Sequence, residues 1–260
     1  MNLNFKFVDY MSHRTKKRLD VILVERKLAV NRSKANQLIQ AGQVKANHQI
    51  IRKSGQLIAE GAIIEIQPSP SYVSRGGLKL EAAIKHFGIN VADKICLDVG
   101  ASTGGFTDCL LKYGAKLVYA VDVGENQLHP ALKKIKKVIC CEKTDIRDFY
   151  LPNNTKIDLI CIDVSFISST LILSVIKKFL ASGGEVIVLI KPQFEVGKKN
   201  LKKGIVKNEK AATEVINNII KLAQQMGFIP KGIITSSIKG KKGNQEYFLY
   251  LKLANKKRLF

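Results

Sequence analysis

The chain has 260 residues and a mass of 28.9 kDa, with 46% apolar and 25% charged side chains. That composition excludes wholesale disorder and leaves room for one catalytic domain plus a small appendage. Forty-three Lys and Arg against twenty-one Asp and Glu give a net charge of +22 and a pI near 9.8, which points to a polyanionic partner. The surplus is uneven. Residues 1–70 carry 12 basic and 5 acidic groups, residues 71–190 carry 15 and 12, and residues 191–260 carry 16 and 4. The longest apolar runs, such as Val186 to Ile190, are strand-sized and far below the ~18 residues of a membrane-spanning helix. Lys6 and Asp9 interrupt the N-terminal apolar patch without a cleavage pattern behind it, so a cytoplasmic protein without a signal peptide is expected. The five Cys form no C-x-x-C pair, which argues against disulfides and zinc, and Cys96, Cys109 and Cys161 read as core thiols.

From Arg18 to about Ile66 the pattern is that of a compact α+β unit. Leu19, Ile22 and Leu23 recur at helical spacing, and Ala35, Leu38 and Ile39 repeat it on a second helix that Gly42 ends. Val44 to Asn47, Ile50-Ile51 and Ala62 to Ile66 read as short strands. Basic side chains run through the unit, and Arg14, Arg18, Arg32, Lys34, Lys45 and Arg52 are its candidate RNA contacts. Its helix pair, with Arg18-Leu19-Asp20 ahead and the run from Arg32 to Asn47 closing it, resembles the alpha-L RNA-binding motif first described in a small-subunit ribosomal protein. The same appendage accompanies pseudouridine synthases with a catalytic R-L-D aspartate, but Asp20 opens a helix here and is expected to serve its start.

Gln67-Pro68-Ser69-Pro70-Ser71 is the natural linker, which gives domains of 14–66 and 74–254 joined by 67–73. Beyond it Leu80, Ala83, Ile84 and Phe87 form one helical stripe ended by Gly88, with Lys79 off the stripe. Then strands and helices alternate. Ile95 to Asp98, Leu117 to Asp122, Val138 to Cys141, Ile157 to Asp163 and Glu185 to Lys191 are the strand runs. Such alternation predicts an α/β architecture with a doubly wound, mostly parallel, Rossmann-like sheet. Asn208 to Met226 is the clearest helix, and Ile233-Ile234 and Tyr247 to Leu253 bring the strands to seven, around a Gly- and Lys-rich connection from Lys239 to Gly243.

The run from Leu97 to Phe106 is a strand, a glycine-rich turn and a helix start. It has neither the G-x-G-x-x-G of dinucleotide enzymes nor the G-K-[ST] of a P-loop. Asp98, Gly100, Ser102, Thr103, Gly104 and Gly105 are the candidate cofactor residues there. Asp122 and Asp145 follow the next two strands, where a doubly wound nucleotide site keeps its ribose-binding acid. Three carboxylates at successive strand ends suit a sulfonium, an ammonium and a ribose diol, the groups of S-adenosyl-L-methionine. The acceptor is constrained next. No Asn/Asp-Pro-Pro-aromatic loop for a base amine follows the fourth strand, where Asp163-Val164-Ser165-Phe166 stands instead, and no Cys adjoins a proline as pyrimidine carbon methylation requires. A ribose hydroxyl needs a base for a weakly acidic proton, and a lysine is suitable once its ammonium form is disfavoured.

Five motifs carry a specific resemblance: S-R-G-G-L-K-L (74–80), D-V-G-A-S-T-G-G-F-T (98–107), D-V-S-F-I-S (163–168), K-P-Q-F-E-V-G (191–197) and G-N-Q-E-Y-F (243–248). They resemble the TlyA family of rRNA ribose 2′-O-methyltransferases, FtsJ-related enzymes some of which are called haemolysins, over residues 14 to 253. The resemblance implies a catalytic tetrad of Lys79, Asp163, Lys191 and Glu246, with Lys191 as base and the others orienting it and the 2′-hydroxyl. It further implies S-adenosyl-L-methionine as cofactor, and a cytidine of small-subunit rRNA, large-subunit rRNA or both as substrate. The rival expectations are a non-catalytic RNA-binding or ribosome-assembly factor and a membrane-active haemolysin.

Overall fold

A computed structural model describes residues 15–254 except 41, 68–70, 153–154, 166–167, 198–199, 207 and 241. Arg14, Phe166 and most of the proline-serine stretch therefore lie outside the described residues. The chain divides into two compact units, with the boundary between Pro70 and Ser71.

In the first unit β1 (Lys16–Arg18) leads into α1 (Leu19–Glu25), followed by α2 (Arg32–Gln40), β2 (Val44–Ala46), β3 (Gln49–Ile51), β4 (Leu57–Ala59) and β5 (Ile64–Ile66). The apolar stripes of the helix pair supply Leu19, Leu23, Ala35 and Ile39 to a core closed by Val44, Ala46 and Ile51. Each fully buried aliphatic side chain there contributes roughly 1.5–3 kcal/mol. β2 pairs antiparallel with both β3 and β5, and β1 pairs with β4. The β1–β4 pair had no sequence signal, because three-residue strands are too short to show alternation. Gly42, at φ +72°, occupies the left-handed conformation that ends α2.

The second unit opens with α3 (Arg75–Phe87), which Ser74 caps by accepting the Gly76 N–H at 3.2 Å and Gly88 ends at φ +63°. There follow β6 (Ile95–Val99), α4 (Gly105–Lys112), β7 (Leu117–Val121), α5 (Pro130–Lys133), β8 (Val138–Cys141), β9 (Ile157–Ile162) and α6 (Ser169–Ile176). The rest is β10 (Leu180–Ile190), α7 (Pro192–Glu195), the hairpin β11 (Leu201–Lys202) with β12 (Ile205–Val206), α8 (Glu209–Gln225), β13 (Phe228–Thr235) and β14 (Tyr247–Leu253). Seven strands form one sheet in the order β13-β14-β10-β9-β6-β7-β8. All neighbours from β10 to β8 are parallel, while β14 enters antiparallel between β10 and β13.

The strands read as continuous apolar runs because both faces of the sheet are covered. Alternate residues diverge: Leu97, Ile160, Val186 and Val188 pack with Ile172 and Ile219 of α6 and α8, whereas Cys96, Leu159, Cys161 and Ile187 pack with Leu80, Ile84 and Leu110 of α3 and α4. Cys96, Cys109 and Cys161 are fully buried, and burial pushes the first two thiols up to about 12. Two strands exceed their expected bounds. β10 starts at Leu180 instead of Glu185, with a register break between those two residues. β13 extends from Ile233-Ile234 to eight residues.

Candidate active site

The sheet reverses its winding at β6, from which β7 and β8 run to one side and β9 and β10 to the other; in such folds ligands bind at the carboxyl ends of the strands beside that point. The turn after β6 passes there, and Gly100, at φ +82°, makes its close approach feasible. A Cβ on Gly100 would lie 2.6 Å from the Asp163 carbonyl oxygen at the end of β9. Two cavities flank this crossing. The smaller, about 390 Å³, is lined by Gly100, Ser102, Asp122, Val123, Thr144, Asp145 and Ile146 among others. The larger, about 970 Å³, holds all four of Lys79, Asp163, Lys191 and Glu246 in its lining. Gly100, Ser102, Asp163 and Ser165 belong to both.

The four side chains form two ion pairs. Lys191 Nζ lies 2.5 Å from Asp163 Oδ1, and also donates to Ser165 Oγ at 3.0 Å. Their position follows from adjacent parallel strands, since Asp163 directly follows β9 and Lys191 directly follows β10. Pro192 then starts α7 and turns the chain away. Lys79 Nζ lies 2.5 Å from Glu246 Oε2, with only 11% and 4% of the two side chains exposed. Lys79 projects from the second turn of α3, and Glu246 immediately precedes β14, so this pair joins opposite ends of the unit's sequence. Gln193 Nε2 donates to the other Glu246 oxygen at 3.3 Å.

The cofactor candidates separate. Asp122 accepts the Ser102 and Gly124 N–H groups at 2.7 Å each, which fixes the loop over the smaller cavity. Asp145 lines the same cavity, and the Arg147 guanidinium beside it holds its carboxyl below the usual range. Thr103 and Gly105 line the larger cavity. Asp98 and Gly104 line neither cavity. Asp98 lies inside β6 with no exposed surface; Thr107 donates to its Oδ2 at 2.6 Å, and Oδ1 has no partner among the described residues. Burial pushes its carboxyl up to about 7. Gly104 is needed for packing: a Cβ there would run into Leu132 and Leu128.

Among the RNA candidates, Arg18 and Arg32 converge on Asp20, each with Nη2 2.9 Å from its Oδ2. Asp20 is fully buried in the first turn of α1, and these guanidiniums hold its carboxyl down at about 2. The two arginines therefore join α1 to α2, with outer surface still exposed. Lys34 and Arg52 are exposed and Lys45 half-buried on β2. Sequence reasoning named no role for Ser165, Gln193, Asn244 or the β11–β12 hairpin, all of which line the larger cavity or brace it. The three side chains lay inside the quoted motifs, whereas the hairpin strands are two residues each and carry no periodicity.

The model of the FtsJ-like methyltransferase family matches residues 72–253, and that of the S4 domain matches residues 17–64. The candidate rRNA methyltransferase YqxC of Bacillus subtilis (strain 168) is 46% identical over 240 residues, covering 91% of this chain and 85% of that protein. The 16S/23S rRNA (cytidine-2′-O)-methyltransferase TlyA of Mycobacterium tuberculosis (strain ATCC 25618 / H37Rv) is 36% identical over 240 residues, covering 90% and 89%. Among solved structures, a candidate hemolysin from Streptococcus thermophilus superposes with a TM-score of 0.71 at 40% identity, covering 93% of this chain and 90% of that one.

Proposed function

The chain belongs to the FtsJ-like methyltransferase family and carries an S4 domain ahead of the catalytic one, and on that premise we propose that it methylates the ribose 2′-hydroxyl of a cytidine in ribosomal RNA. The carrying observation is the meeting of two cavities at Gly100, Ser102, Asp163 and Ser165, with Lys191 held against Asp163 where they join. S-adenosyl-L-methionine supplies the electrophilic methyl group when bound. The residues present fit it. The smaller cavity has the carboxylates of Asp122 and Asp145 in its wall to accept from hydroxyl and amine donors.

In this reading the ribose enters the larger cavity. Lys191, neutral in the reactive complex, takes the 2′-hydroxyl proton as the oxygen gains its methyl. Asp163 and Ser165 hold the lysine Nζ in place, and stabilise the ammonium that forms. The Lys79–Glu246 pair contributes a buried, fixed dipole in the same cavity that orients the hydroxyl. The S4 domain grips the polyanionic substrate through its exposed cations, Lys34 and Arg52 foremost, in the cytoplasm where ribosomes are. An intact tetrad counts against a non-catalytic assembly factor. As for a membrane-active protein, no helix among the described residues is long and apolar enough to cross a membrane.

The test is transfer of tritiated methyl from S-adenosyl-L-methionine to purified small subunits, large subunits and intact ribosomes, followed by nucleotide mapping. Label on a cytidine 2′-oxygen is the expected result; no label on any rRNA substrate refutes the reading.

A further inference from the structure

Charge around the larger cavity is distributed unusually. Two segments build its outer wall, the β11–β12 hairpin with its flanks and the connection between β13 and β14, contributing Leu201, Gly204, Gly240, Lys242 and Asn244. From Val196 to Asn208 and from Gly227 to Gln245 the sequence contains nine lysines and no Asp or Glu. Lys202, Lys203, Lys239 and Lys242 are exposed, and none is in an ion pair with a described carboxylate. Elsewhere in the unit, lysines 85, 94, 112, 133 and 143 each pair with an acid. Arg75, which also lines the cavity, is likewise exposed and without a described partner, on the α3 turn that leads to Lys79.

The two lysine segments are braced as one structure. Asn244 is 4% exposed and uses both ends of its amide: Oδ1 accepts the Val206 N–H at 2.9 Å, and Nδ2 donates to the Gly204 carbonyl at 2.9 Å. The Lys242 side chain packs beside Gly204, bringing its charge next to the hairpin turn that carries Lys203. Two residues beyond Asn244 stands Glu246, whose carboxylate approaches Gly240 of the same wall. A side-chain amide wholly committed to its own backbone fixes the wall's shape, and leaves the lysines to face outward without internal partners.

We propose that this lysine wall, Lys202, Lys203 and Lys242, together with Arg75, grips the phosphodiester backbone on either side of the target ribose, giving the methyltransferase unit an RNA-binding surface of its own, separate from the S4 domain. The inference rests on the proposed rRNA substrate. Unneutralised cations rimming a cavity that admits a ribose match a ligand with a phosphate on each side of every sugar. An acidic peptide lacks that fixed spacing. The S4 domain then supplies one set of phosphate contacts, and the wall supplies the set that holds the reacting nucleotide in register with Lys191.

The experiment uses the full chain. Binding to an rRNA fragment is titrated from 50 to 200 mM salt for the wild type, for Lys202→Gln/Lys203→Gln/Lys242→Gln, and for the matching triple arginine variant. Cofactor calorimetry accompanies each to verify the fold, and methyl transfer by the wild type reports separately on the substrate assignment. Loss of three single-strand contacts lowers the slope of log K against log salt by about 2, at about 0.7 each. Across that fourfold salt range the wild type then loses about 16-fold more affinity than the glutamine variant. The arginine variant keeps the wild-type slope. An unchanged slope in a folded glutamine variant overturns the proposal, even where the wild type methylates rRNA; so does an arginine variant that weakens as the glutamine variant does.

Discussion

Replacing Lys191 by arginine separates its charge from its proton. Arginine retains a cation to face Asp163 Oδ1, now 2.5 Å from the lysine, and donors to reach Ser165, now at 3.0 Å. A guanidinium has no acceptor and is not deprotonated in proteins, so it cannot serve as a base. The other carboxylates of the cavity are already engaged: Asp163 by Lys191 itself and Glu246 by Lys79 at 2.5 Å. General-base contributions run from about 10² to 10⁴, so single-turnover methylation falls by at least ~100-fold, close to 2.7 kcal/mol of transition-state stabilisation. Cofactor and RNA affinity stay near wild type. Lys191→Met makes a contrasting partner, because it strands Asp163, whose side chain is 25% exposed, at a cost of about 1–3 kcal/mol in a urea melt besides the same loss of rate. Rapid-quench assays with cofactor and RNA both saturating read the chemical step. An arginine variant that methylates within a few-fold of wild type assigns the proton to another group or to water and refutes the mechanism.

Glu246→Gln leaves the Lys79 ammonium, 11% exposed, without its counter-charge, and lowers stability by about 3–5 kcal/mol; the double variant Lys79→Met/Glu246→Leu recovers most of that in urea melts yet stays inactive. Asp98, raised to about 7 by burial, keeps its proton in the folded state over a range where the unfolded chain has released it. Stability therefore falls as pH rises from about 4 to about 7, by at most about 4 kcal/mol, and levels off above; Asp98→Asn, which still accepts from Thr107, abolishes that decline in urea titrations at pH 5 and 8, and parallel pH profiles would disprove it. Asp122→Ala frees the Ser102 and Gly124 N–H groups that shape the smaller cavity, and calorimetry shows weaker S-adenosyl-L-methionine binding; unchanged affinity in a folded variant removes Asp122 from the site.

The doubly wound sheet was legible in sequence because its strands are short apolar runs buried on both faces, separated by helices with strong caps. Asn208 and Gly227 bracket α8 as expected, the former accepting the Lys210 N–H at 3.0 Å. What sequence could not supply was the destination of polar side chains. Asp98 and Asp122 look equivalent as acids at strand ends, yet one faces the interior at 0% exposure and the other faces a cavity, because Asp98 lies within β6, level with Ala120 of β7, whereas Asp122 follows the last residue of its strand. Arg18 and Arg32 look like surface charge until the fold brings them both to Asp20. Lys79 lay outside the apolar stripe of its helix and still proved buried, because Glu246 meets it from the far end of the chain.

Lys79 and Glu246 stand 167 positions apart, and β14 arrives in the sheet only after every other strand has been made. At about 5–20 residues per second, the interval between synthesis of the lysine and of the glutamate is roughly 10–30 s. Throughout it the nascent chain has its glycine-rich turn and Lys191 in preparation but no acid opposite Lys79, and the β10 edge waits unpaired for β14. Completion of the site thus waits on synthesis of residue 246. A chain that stops before residue 246 lacks the acid that meets Lys79 and leaves the β10 edge without its antiparallel neighbour.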